Sequence, residues 1–175
     1  WSTTAVDSLG WVGEYTSLAF DGPGRPAISY YDATNEDLRL ARWDGECWVT
    51  SAPSVHDGAG VVDTAGDVGR YSSLAIDQTG YPALSYHDAT AGSLKYARWN
   101  GSAWQVETVD DEGWVGQHTS LGFDAANRPC TSYYDAVGQD LKFAHWTGMG
   151  WDVAVGGAGW AGCAGWDVSA GDGGW

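Results

Sequence analysis

The chain has 175 residues and a mass of 18.6 kDa, with 23 acidic side chains against 8 basic ones, a formal net charge of -15 and a pI near 4.2. An acid excess of that size opposes phosphate backbones and anionic membrane surfaces, so neither nucleic acid nor membrane is expected as a partner, and no apolar run approaches the roughly 20 residues of a membrane helix. A hydrophobic content of 43% suffices for one domain with a core, while 26 glycines, 5 prolines and 12 tryptophans speak against long helices.

Taken in chain order, the first element is an isolated one. Trp1-Ser-Thr-Thr-Ala-Val-Asp-Ser-Leu-Gly-Trp-Val-Gly13 matches Trp104 to Gly116 without a gap, so residues 1–10 are expected to be the outer strand of a unit whose other strands are absent. A full repeat follows. Tyr15-Thr-Ser-Leu-Ala-Phe-Asp21 recurs at Tyr71–Asp77 and at His118–Asp124, and Pro26-Ala-Ile-Ser-Tyr-Tyr-Asp-Ala33 recurs at Pro82–Ala89 and Pro129–Ala136. A third segment, Leu38-Arg-Leu-Ala-Arg-Trp43, recurs at Leu94–Trp99 and Leu141–Trp146, and a fourth begins at Trp48, Trp104 and Trp151. Val12 to Val68 spans 56 residues and Val68 to Val115 spans 47, so the first repeat carries a nine-residue insertion around Val55 to Val62.

Each segment is short, rich in β-branched and aromatic residues and bounded by turn formers, which is the strand signature. Gly or Asn stands where the first turn of each repeat needs a positive φ, and Asp44-Gly45 and Asn100-Gly101 are favoured type I′ hairpin pairs. A period of 40 to 50 residues built from four antiparallel strands describes a β-propeller blade. The expected fold is therefore all-β, a propeller-type array of three blades at 11–58, 67–113 and 114–155. An inserted loop is expected at 59–66 and a Gly/Trp-rich tail at 156–175. Three blades are fewer than the roughly four a ring needs, so closure is expected from a homo-oligomer, with a dimer the simplest, or from further sequence.

Chemistry is sparse. Seven of the eight basic residues fall in repeat columns, Arg25 and Arg128, Arg39, Lys95 and Lys142, Arg42 and Arg98, a pattern suited to packing between blades rather than to one asymmetric active site. Asp32, Asp88 and Asp135 end a strand where an Asx turn would cap it, and are expected ion partners of that basic column. No calcium loop, nucleophile elbow, Walker loop or H-E-x-x-H is present, so no catalytic residue, metal or cofactor is expected. Cys47, Cys130 and Cys163 have no C-x-x-C spacing.

The pairs Trp43 and Trp48, Trp99 and Trp104, Trp146 and Trp151 flank the tight hairpins of the three repeats. Each pair puts two flat faces at a blade edge, suited to stacking on a sugar ring, although tryptophans across a hairpin also stabilise strand pairing. From Ile28 to Ala52 the order of strand, Asp-Ala-Thr-Asn turn, strand, W-D-G-x-x-W hairpin and strand resembles a blade of the small bacterial and fungal fucose-binding lectins. That resemblance implies a six-bladed propeller that binds sugar between an arginine, a glutamate and hairpin tryptophans. At the polar positions this chain differs, with Ser29, Ser85 and Ser132 in place of the arginine and Leu40, Tyr96 and Phe143 near the glutamate. The expected function is a non-catalytic, extracellular module that binds glycans or cell-surface polysaccharide through those six tryptophans. A structural or adhesive scaffold and a glycoside-acting enzyme are the alternatives.

Overall fold

The computed structural model describes residues 2–50 and 58–155, and among them every regular element is a strand. The first sheet runs β1 (Val12–Phe20), β2 (Pro26–Asp32), β3 (Asp37–Trp43) and β4 (Trp48–Val49), with β5 (Gly60–Asp63) also paired to β3. The second is β6 (Val68–Ile76), β7 (Pro82–Asp88), β8 (Ser93–Trp99) and β9 (Trp104–Asp110). The third is β10 (Val115–Phe123), β11 (Pro129–Asp135), β12 (Asp140–Trp146) and β13 (Trp151–Val155). All neighbouring strands are antiparallel, giving the three four-stranded blades of a propeller-like array that does not close on itself.

Two expectations need correction here. The stretch 59–66 holds a strand rather than only a loop, because β5 resumes the fourth strand where β4 leaves off: Asp63 lies opposite Leu38, as Asp110 lies opposite Leu94. Residues 2–10 form no strand, and among the described residues no sheet pairs with them. The tail at 156–175 lies outside the described residues, as does Trp1.

The turns follow their side chains. At the first turn of each blade the backbone N–H of Arg25, Tyr81 and Arg128 donates to Asp21, Asp77 and Asp124 at 2.7, 3.0 and 2.8 Å, and the positive φ falls on Gly24, Gly80 and Asn127 as expected. The Trp hairpins are not type I′. Only Gly45, Gly101 and Gly148 take positive φ there, while Asp44 Oδ1 accepts from Glu46 N and Cys47 N and Asn100 Oδ1 from Ser102 N and Ala103 N. An Asx turn therefore replaces the second positive φ that a type I′ turn demands.

Blades meet through glycine and through buried charge. A Cβ on Gly69 would lie 2.8 Å from the Cα of Leu38, and one on Gly116 would lie 2.9 Å from the Cα of Leu94, so the first strand of one blade rides directly on the third strand of the blade before it. Leu38, Leu40, Val68, Leu74, Leu84 and Tyr86 fill the first junction, and Leu94, Val115, Tyr133 and Ala144 the second. Beside these apolar seams, Asp63 Oδ2 accepts from Tyr86 Oη at 2.7 Å and Lys95 Nζ at 3.1 Å, and Asp110 Oδ2 accepts from Tyr133 Oη at 2.6 Å and Lys142 Nζ at 2.7 Å. The basic column also reaches the acids that cap each second strand, Arg39 to Asp32 at 3.1 Å, Lys95 to Asp88 at 3.2 Å and Lys142 to Asp135 at 3.7 Å. This is the pairing expected from the sequence. Charges so buried are tolerated because each has an opposite charge in contact, and Asp63 and Asp110 also accept from a tyrosine hydroxyl.

At the inner strands a bulge in each blade puts Tyr15, Tyr71 and His118 at φ of 51°, 55° and 54°. Their rings follow one another in a column, tilted by 48° and 57°, with centroids 4.6 Å apart for Tyr15 and Tyr71 and 4.5 Å for Tyr71 and His118.

Candidate functional site

The six hairpin tryptophans form three near-identical pairs because each hairpin places its two flanking residues directly opposite. Ring centroids are 5.8 Å apart for Trp43 and Trp48, 5.7 Å for Trp99 and Trp104 and 5.9 Å for Trp146 and Trp151, each edge to face. The arrangement spends one face of each pair on its partner, which stabilises the hairpin. Trp43, Trp48, Trp104, Trp146 and Trp151 are half-buried, whereas Trp99 is buried.

The pairs differ in what covers them. In the second blade Gly58, just before β5, sits on the indoles: a Cβ there would lie 3.0 Å from Trp99 and 3.1 Å from Trp104, and Trp104 Nε1 donates to Gly58 O at 3.1 Å. Among the described residues nothing equivalent lies over Trp151, whose Nε1 donates instead to Glu107 Oε1 at 3.0 Å, and whose ring meets Tyr96 edge to face at 5.1 Å.

Strand register explains the polar set around Trp151. Tyr96 lies opposite Glu107 and Arg98 opposite Gln105 in the β8–β9 ladder, so these four side chains share one face of the second blade, turned toward Trp151 of the third. Glu107 is exposed, Arg98 keeps 38% of its side chain exposed while bonded to Asp77, and Tyr96 Oη is buried with no hydrogen-bond partner. Burial pushes the Tyr96 hydroxyl well above its usual pKa, so it remains protonated as a donor. A carboxylate, a guanidinium, a phenol and an indole thus lie where the second and third blades meet, and the exposed Glu107 and partly exposed Arg98 are able to accept from and donate to hydroxyl groups beside an apolar face.

Sequence reasoning singled out Trp151 and missed Glu107, Arg98 and Gln105. Arg98 was masked by its repeat column, since Arg42 occupies the same place. Glu107 has no counterpart in the third blade, where Ala154 stands opposite Phe143; counting three residues past Trp104 onto the face of Tyr96 would have found it. Trp11 and Trp114, 71% and 42% exposed, are further surface indoles outside the hairpins. Among the described residues no group of three or more His, Cys, Asp or Glu is arranged to hold a metal ion, and no helix is long and apolar enough to cross a membrane.

No protein-family model matches the sequence. No curated protein matches it either. Among solved structures, a fucose lectin from Kordia zhangzhouensis in complex with methyl-fucoside is similar over 79% of this chain and 96% of its own, with a TM-score of 0.53 at 16% identity. A protein of unknown function from Dyadobacter fermentans DSM 18053 is similar over 78% of this chain, with a TM-score of 0.54 at 11% identity. This chain spans about half the length of that second protein, 49%. At these identities the likeness is one of fold, a propeller-like array of blades.

Proposed function

We propose that the protein is a non-catalytic, secreted or cell-surface module that binds glycans at the edges of its blades. The observation that carries this reading is the strand face shared by Tyr96, Arg98, Gln105 and Glu107 of the second blade, on which Glu107 and Tyr96 meet Trp151 of the third. Trp151 and Trp146 supply the stacking surface, Glu107 accepts from sugar hydroxyls, and the Arg98 guanidinium donates to them. The Trp43 and Trp48 pair offers a second, poorer platform, and the Trp99 and Trp104 pair is withdrawn from the role by Gly58. Several weak sites on one body would act together, since tethered binding makes each later contact intramolecular. The fucose lectin of similar fold supports sugar as the ligand class.

A glycan array with the intact chain tests the reading, alongside Glu107→Gln and Trp151→Ala. Binding that Glu107→Gln weakens tenfold or more, with the circular dichroism of the wild type retained, supports it. Silence on every sugar from a folded sample overturns it in favour of a scaffold, the second reading, which draws support from Trp99 and Trp104 being packed against the chain's own Gly58.

A further inference from the structure

The three Trp hairpins differ at the residue that opens the turn, which is Asp44 in the first blade, Asn100 in the second and Thr147 in the third. Asn100 is exposed, and its Oδ1 accepts from Ser102 N, Ser102 Oγ and Ala103 N, each at 2.9 Å. Among the described residues its Nδ2 donates to no acceptor, and neither does the N–H of Gly101. Position 101 favours glycine twice over, by a φ of 95° and by Tyr81 Oη, 2.8 Å from where a Cβ would stand. The second hairpin thus joins a polarised side-chain amide to an unhindered peptide N–H.

We infer that Asn100 deamidates spontaneously through Gly101, turning the second hairpin with time into the acid form that the first hairpin carries from the start. An Asx turn folds the side-chain carbonyl back toward the peptide that follows it, and Gly101 puts no side chain in the way. Gly101 N gives its proton to hydroxide from solvent and bonds to Asn100 Cγ. The charge that develops on Oδ1 falls where three donors already point, as in an oxyanion hole. The Cγ–Nδ2 bond then breaks, and the nitrogen takes a proton from water and leaves as ammonia, restoring the hydroxide. Water opens the resulting succinimide at either of its carbonyls. One opening gives an aspartyl residue, the other an isoaspartyl residue whose main chain is longer by a methylene. Water is consumed and ammonia released in equal amounts, with no oxidant or reductant.

The other asparagines are held differently. Asn35 Nδ2 donates to Asp32 Oδ2 at 2.9 Å and is followed by Glu36, while Asn127 Oδ1 accepts from Gln78 N at 2.9 Å and is followed by Arg128. The first blade shows that the aspartyl product fits. Asp44 Oδ1 accepts from Glu46 N and Cys47 N at 2.8 Å, and Asp44 N donates to Cys47 O at 3.1 Å, as Asn100 N does to Ala103 O. The aspartyl form therefore keeps the turn and adds a negative charge. The isoaspartyl form does not keep it: the extra methylene falls between Trp99 and Trp104, which lie directly opposite, and slackens the bond from Trp104 Nε1 to Gly58 O. The inference is independent of any ligand.

Peptide mapping of the full chain, incubated folded in mildly alkaline buffer, is the test. The tryptic peptide from Trp99 to Lys142 carries Asn100 and Asn127, and fragmentation tells them apart. The amide-to-acid mass gain is expected at Asn100 roughly tenfold faster than at Asn35 or Asn127, with isoaspartyl residue among the product. Asn100→Asp should fold with native circular dichroism and show no gain at that position. Equal rates at the three asparagines overturn the inference. So does a rate at Asn100 in the native chain more than about tenfold below that in urea, since the turn would then protect the amide rather than activate it.

Discussion

Trp104 Nε1 donates to the carbonyl of Gly58 across 46 positions of sequence, and this bond separates the second hairpin from its two copies. The indole fastens the end of the first blade's insertion to the second blade, so Trp104 works as a packing residue. Trp104→Ala is expected to cost about 2–3 kcal/mol of stability, from lost burial and an unpaired carbonyl. Trp146→Ala, at the uncovered third hairpin, should cost about 1 kcal/mol. Urea midpoints at constant m-value compare them.

Gly69 and Gly116 are fixed by two independent demands, positive φ of 102° and 93° and the approach of a leucine Cα within 3 Å. Replacing either with Ala should destabilise by about 3 kcal/mol or more, since the added methyl meets backbone as well as strain. Gly80→Ala is the control: its φ of 87° is similar but nothing lies within 4 Å, so only the strain of about 1 kcal/mol remains. A thermal-melt series on the three variants distinguishes steric from conformational cost.

Acid should weaken the fold in two stages. Burial holds the His87 imidazole below its usual pKa despite its bond to Val115 O, so it folds neutral, and its contribution is present above about pH 6.5 and is lost as protonation begins to favour the unfolded chain. Burial alone would raise Asp63 and Asp110, but the bonds from Tyr86 and Lys95, and from Lys142 and Tyr133, outweigh it and hold both below the usual carboxylate range. Their contribution is complete above about pH 4 and falls as pH drops further, through the depressed folded values. The urea midpoint should therefore decline gently from about pH 6.5 and steeply below pH 4. His87→Tyr, which restores the residue of its column, should remove the first stage, and Asp110→Asn should lower stability by about 3 kcal/mol at neutral pH while flattening the second.

The repeat made the strands and blades legible in advance, because each turn carries its own chemistry: Asp21, Asp77 and Asp124 close one, and Asp32, Asp88 and Asp135 cap another. Asp63 was also legible and was passed over. Val62-Asp63 stands three residues before Gly66 as Val109-Asp110 does before Gly113, but the insertion drew attention to chain length rather than to that signature. The covering of Trp99 and Trp104 was not legible, since no local pattern says that Gly58 folds back on a neighbouring blade. Nor was the strand face that meets Trp151. Glu107 gains its setting from Trp151, 44 residues away, and only the stacking of blades brings them within 3.0 Å.

The split fourth strand of the first blade has a practical meaning. Val49 and Gly60 both belong to partners of β3, so the register is held on either side of the segment between them. Loop closure grows only logarithmically, about 0.6 kcal/mol for each doubling in length. The rim of the first blade is thus a splice point, where a peptide tag or a whole small domain of adjacent termini can be carried while the hub of the array keeps its geometry.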